Sequence, residues 1–100
     1  MQLKGYQRKF LRSLAHDLNP SAFIGRNDLS EGVYSSIEDA FKNNELIKIK
    51  ILNKDDLDSL VNSIESNCSC NIVGSIGKIL IAYKKNIDPE KRKISLPCKQ

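Results

Sequence analysis

The chain has no tryptophan and only three tyrosines and three phenylalanines in 100 residues, so any core must be built from Ile and Leu. It has one histidine, His16, and three cysteines, Cys68, Cys70 and Cys98. A structural zinc site takes four ligands at defined spacings, and a C-x-C pair with one distant histidine does not supply them. An odd count of cysteines does not suit a disulfide scaffold, and free thiols fit a reducing compartment. No stretch approaches the roughly 20 apolar residues that span a bilayer. Lys4 is not followed by an apolar segment of the kind found in secretory leaders, so no signal peptide and a cytoplasmic location are expected. Glycine-rich nucleotide fingerprints are missing too. His16 and Asp17 are adjacent, and adjacent helical positions do not face each other. Asp55-Asp56-x-Asp58 lacks the length and the glycine of a calcium loop. These absences exclude a readable catalytic or metal centre; the expectation is a protein with no cofactor and no enzymatic activity.

What is present fits one soluble domain: 40% of residues are apolar and 28% charged. The charge is unevenly placed. Residues 1–26 carry five basic side chains (Lys4, Arg8, Lys9, Arg12, Arg26) against Asp17 alone, a net +4. Residues 27–77 carry four basic against nine acidic, a net −5, and residues 78–100 seven basic against two acidic, a net +5. Two basic ends therefore flank an acidic middle. If the ends meet in space they form one basic surface, which suits a polyanion, although ordinary solvated side chains would give the same count.

Apolar residues at Leu3, Tyr6, Phe10, Leu11, Leu14, Ala15 and Leu18 recur at three and four, predicting a helix over 4–18. Arg8, Lys9 and Arg12 lie off that stripe. Asn19-Pro20 ends the helix, and Ser21–Ile24 is a short extended run. A second helix is expected over 30–42, with Val33, Ile37, Ala40 and Phe41 inward and either Ser30 or Asp28 as its cap. Leu46–Leu52 alternates at period two, placing Ile47, Ile49 and Ile51 inward and Lys48 and Lys50 outward. Leu57, Leu60, Val61 and Ile64 predict a third helix, ending near Ser66-Asn67. Asn71–Ile76 and Ile79–Lys84 around Gly77-Lys78 predict a hairpin, and Ile94–Pro97 could return to the body. The order α-β-α-β-α-β-β suits an α/β fold, a two-layer sandwich with a four-stranded mixed sheet. With helices on one face only, Lys48 and Lys50 would stand in water on the other.

Gly25-Arg26-Asn27-Asp28 separates a strand from a helix. Glycine lets a backbone approach a ligand closely, and a helix N-terminus offers free N–H groups to phosphate. A G-x-x-G loop clamps the nucleic-acid backbone in KH domains; a plain turn would have the same composition.

Arg8-Lys9-Phe10-Leu11-Arg12-Ser13-Leu14-Ala15-His16, Pro20 and Ile24 through Glu31 resemble the start of the CRM domain, the chloroplast RNA splicing and ribosome maturation module. Asn44–Lys50, Val73–Gly77, Ile79–Lys84 and Ile94–Pro97 resemble its later blocks. The similarity covers residues 2–97, leaving 98–100 as a tail, and is nearest to the bacterial stand-alone, YhbY-like form. It implies a fold similar to the C-terminal domain of translation initiation factor three. It also implies an RNA-binding protein that associates with large-subunit ribosomal RNA or its precursor particles; a monomer is the default expectation for its oligomeric state. The signature loop of the family is Gly-Lys/Arg-Asn-Gly; here Gly25, Arg26 and Asn27 match and Asp28 replaces the last glycine. A carboxylate there competes with phosphate for the helix N–H groups. The implied RNA surface comprises Gly25, Arg26, Asn27, Asp28, Lys4, Arg8, Lys9, Arg12, Lys48, Lys50 and Lys78, extended by Lys84 and Lys85. A different reading uses the acidic middle, with Glu38, Asp39, Asp55, Asp56 and Asp58 docking a basic ribosomal protein.

Overall fold

The computed structural model describes residues 3–25, 31–52, 57–85, 90 and 94. In chain order the elements are α1 (Gly5–Ala15), β1 (Pro20–Ile24), α2 (Glu31–Asn43), β2 (Leu46–Ile51), α3 (Leu57–Cys68), β3 (Asn71–Ile76) and β4 (Ile79–Tyr83). The four strands form one sheet in the order β1-β2-β4-β3. β1 and β2 are parallel, joined through α2, while β4 runs antiparallel to both β2 and β3. This is the mixed α/β sheet that the pattern implies. Pro20 opens β1, an edge strand, where a residue without an N–H costs no ladder bond. Gly77 has φ of +58° at the first of two turn residues, the arrangement a II′ hairpin requires.

The number of layers differs from the expectation. α2 and α3 cover one face, and Ile47, Ile49, Ile51, Ile64, Ile72 and Leu80 form its core. α1 packs on the opposite face, where Leu3, Leu11 and Ala15 meet Leu46, Val73, Ile81 and Tyr83. The sheet is thus sandwiched, α/β/α, rather than two-layered. The sequence signal was the unbroken run Ile79–Tyr83: a strand buried on both faces needs no alternation. α1 is also shorter than its apolar pattern. It stops at Ala15, and Leu14 and Leu18, expected inside, stay exposed.

Two details fix the ends of the fold. Buried Glu45 accepts the Ile94 N–H at 3.0 Å through its carboxylate, while its main-chain carbonyl accepts the Lys84 N–H at 2.8 Å. Ile94 packs on the α1-side core, which puts this residue on the same face as the basic first helix. Ser69, just past α3, has φ of +52°, a left-handed helix stop made without glycine. The thiols on either side of it, Cys68 and Cys70, are buried. Burial pushes both above the ordinary thiol range, Cys70 to about 12, which keeps them protonated and unreactive at neutral pH. Among the described residues no His, Cys, Asp and Glu cluster could hold a metal, and no helix is long and apolar enough to cross a membrane. The expected caps of the second helix, Asp28 and Ser30, and Cys98 lie outside the described residues.

Candidate nucleic-acid interface

α1 carries the cations over the sheet. Its first turn is closed by the Gln7 side-chain oxygen, which accepts the Lys4 N–H at 2.9 Å. One turn apart, Arg8 and Arg12 reach down to β3. Arg8 Nη1 donates to the Ile72 carbonyl at 3.2 Å, and Arg12 Nη1 to the Val73 carbonyl at 2.9 Å. Both acceptors sit at the bulge between Ile72 and Gly74, where the β3–β4 register shifts. Gly74 makes this approach possible. A β-carbon at that position would lie 2.6 Å from Arg12 Cδ, so the arginine stem occupies the space a side chain would fill. From the other face Glu65 accepts the Ile72 N–H at 2.9 Å. Side chains thus occupy main-chain groups of an edge strand, which blunts it as a template for another strand.

Lys48 is held in a comparable way. It projects from β2 toward α1, and its Nζ donates to the His16 carbonyl at 3.1 Å, closing the C-terminal end of that helix. The expected bare lysine face is therefore half covered. Lys48 is half-buried under the end of α1, and Lys50, two residues on, is exposed.

None of these bonds neutralises a charge. A carbonyl fixes the position of a guanidinium or ammonium and leaves its formal charge and its remaining donors available. Among the described residues, no carboxylate pairs with Arg8, Lys9, Arg12, Lys48, Lys50 or Lys78; the Asp39–Lys42 ion pair at 3.1 Å lies on α2. Lys4 is exposed at the start of α1 and Lys9 on it, Lys78 in the hairpin turn and Lys85 beyond β4; Lys84, expected on the same surface, is half-buried and acts on the Cys68 and Cys70 thiols of the α2–α3 side. On the other side of the sheet α2 and α3 expose Glu38, Asp39 and Asp58. The molecule is electrically two-sided.

Gly25 is exposed at the end of β1, and among the described residues nothing lies within 4 Å of a β-carbon placed on it. Its φ is not in the left-handed region. Neither its own backbone angle nor packing against the described residues asks for a glycine there. Arg26, Asn27 and Asp28, with Asp55 and Asp56 of the acidic reading, lie outside the described residues.

Residues 3–84 match the CRS1/YhbY (CRM) domain. The chain belongs to this family. An RNA-binding protein of Haemophilus influenzae is 40% identical over 95 residues, 93% of each chain. A protein of Pseudomonas aeruginosa named as a probable RNA-binding protein is 36% identical over 93 residues, 91% of this chain and 89% of that one. The fold is similar to the solution structure of a Staphylococcus aureus hypothetical protein described as a candidate RNA-binding protein. There the TM-score is 0.80 and the identity 32%, covering 96% of this chain and all of that one. These relatives are described by binding and not by catalysis, in line with a CRM protein that has no readable catalytic constellation.

Two features of this CRM domain were not singled out from sequence. One is the pairing of Gly74 with Arg12, signalled by a glycine inside a strand pattern, which marks a bulge or a close approach. The other is Phe23, 64% exposed. The alternation Ser21-Ala22-Phe23-Ile24 already pointed it outward once Ala22 and Ile24 turned in.

Proposed function

We propose that this CRM protein binds structured RNA, and specifically large-subunit ribosomal RNA or its precursor particles, as a cytoplasmic monomer acting in ribosome assembly. The observation that carries the reading is a set of cations on one face of the sheet. Arg8, Arg12 and Lys48 are fixed there by main-chain carbonyls, with no carboxylate partner among the described residues. Prepositioned charges lose less side-chain entropy on meeting a phosphate than mobile ones do. The names of the relatives support RNA as the polyanion. Gly25, which no described contact and no positive φ requires, leads into Arg26 and Asn27, whose proposed role is to hold backbone phosphate. Lys4, Lys9, Lys50, Lys78 and Lys85 extend the field. Asp28 tempers it, since its carboxylate competes for the N–H groups at the start of the next helix.

The test is binding of the purified protein to large-subunit ribosomal RNA and to an unrelated structured RNA across a salt series. The expected result is tighter binding to the ribosomal RNA, with log affinity falling against log salt by about 0.7 to 0.9 per phosphate neutralised. Asp28→Gly should tighten binding to both. Equal and weak binding to both RNAs would contradict the ribosomal assignment and direct attention to the acidic α2–α3 face and a basic protein partner.

A further inference from the structure

The end of the sheet that α1 leaves uncovered carries a row that the charge argument does not use. Phe23 of β1 pairs with Lys50 of β2, Lys50 with Ile79 of β4, and Ile79 with Ile76 of β3. The row crosses all four strands without a gap. It faces the α1 side, because Lys50 alternates with Leu46 and Lys48, and Ile79 with Ile81 and Tyr83 of the α1-side core. α1 closes over Lys48 through the His16 carbonyl and stops one row short. Phe23 is 64% and Ile76 66% exposed, Lys50 is exposed and Ile79 half-buried.

We propose that this row is a stacking platform for unpaired ribonucleotide bases, with Phe23 as its principal surface. The inference rests on the RNA-binding reading and adds to it the class of RNA, since only unpaired bases can offer their faces to a side chain. Three strand gaps of about 4.8 Å make the row roughly 14 Å long. Four-stranded sheets that display several aromatics stack two or three bases; this row has one ring, Phe23, with Ile79 and Ile76 at its far end. The chemistry of the row favours RNA over an apolar protein segment. Lys50 interrupts it, Lys78 stands in the hairpin turn at the same end of the sheet, Lys48 flanks it, and it contains no carboxylate. Gly25 follows Phe23 by two residues, about 7 Å along an extended chain.

Phe23 is exposed, so its replacement should leave the fold intact, which thermal unfolding checks. The probes are an RNA hairpin with an unpaired loop and a fully paired duplex of equal phosphate count. Base–aromatic stacking is worth about 1 to 3 kcal/mol per base, roughly 5- to 150-fold in affinity. Phe23→Ala should lose that factor on the looped hairpin, leave duplex affinity unchanged and keep the salt slope. Phe23→Tyr should retain binding. Because the chain has no tryptophan, Phe23→Trp installs a single indole that can be excited apart from the tyrosines, and the looped RNA should quench it while the duplex should not. Ser35→Trp, on the exposed side of α2, should be quenched by neither. If wild type binds looped RNA and Phe23→Ala binds it within twofold, the platform is wrong and the RNA-binding reading stands. If wild type binds neither RNA, both are wrong.

Discussion

The two faces of the sheet are built from the same strands and do different work. On one, α2 and α3 close over a continuous aliphatic core and show carboxylates to solvent. On the other, a single helix covers part of the sheet, holds its cations down with carbonyls and leaves one row open. A 100-residue chain thereby keeps its two obligations apart. Stability comes mainly from the face where apolar surface is sealed; recognition is left to the face where it is not. A half-covered face costs burial, which the sealed α2–α3 side offsets.

That contrast can be broken most sharply by shaving each face in turn. Ile49→Ala empties a fully buried site on the sealed face and should destabilise the protein by about 2 to 5 kcal/mol. Phe23→Ala on the open face should change stability by about 0.5 kcal/mol or less. Urea unfolding of the two variants measures both, and comparable losses would remove the division of labour proposed for the faces. Gly74→Ala is the next largest effect. Its new β-carbon must push the Arg12 stem away from β3, so RNA affinity should fall by several-fold, with a stability cost of about 1 to 3 kcal/mol for the crowding. Gly25→Ala should weaken RNA binding while leaving unfolding unchanged, because nothing described crowds that site.

Smaller effects belong to the sealed face. Ser69→Gly relieves a left-handed residue at the end of α3 and should stabilise the fold by about 0.5 to 1 kcal/mol. The buried thiols add a pH dependence whose sign follows from burial. Cys70 is held up at about 12 in the folded state against 9.0 for the free group, so the unfolded chain releases its proton first. Stability from this source is intact below about pH 9 and is lost as pH rises toward 12. Unfolding midpoints measured from about pH 8 to 11 should therefore fall less in Cys70→Ala than in the parent.

Much of this architecture was legible before the structure. The helices announced themselves through period three-to-four, β2 through period two and β4 through an unbroken apolar run, and Pro20, Gly77 and the strand–helix alternation set the topology. What misled was α1. Its apolar stripe ran through Leu14 and Leu18, yet the helix ends at Ala15, where Asn19-Pro20 turns the chain into β1 and Lys48 takes the last carbonyl. Periodicity reports a face; it does not report which side of a sheet that face meets. The cationic residues were identifiable by type, but their anchoring was not, since Arg8 and Arg12 find their acceptors more than 60 residues away at a bulge. A long-range bond between a side chain and a carbonyl leaves no local pattern beyond the strand glycine that accommodates it.

The most direct test of the central claim is to strip charge from each face separately and read RNA affinity across a salt series. One variant carries Lys9→Gln, Arg12→Gln and Lys50→Gln; the other carries Glu38→Gln and Asp39→Asn. Removal of cations from the α1 face should weaken binding and reduce the log–log salt slope by about 0.7 to 0.9 for each phosphate no longer neutralised. Neutralising the α2 carboxylates should leave the slope as it was. An unchanged slope in the first variant, with the fold intact, would contradict the assignment of RNA to the α1 face.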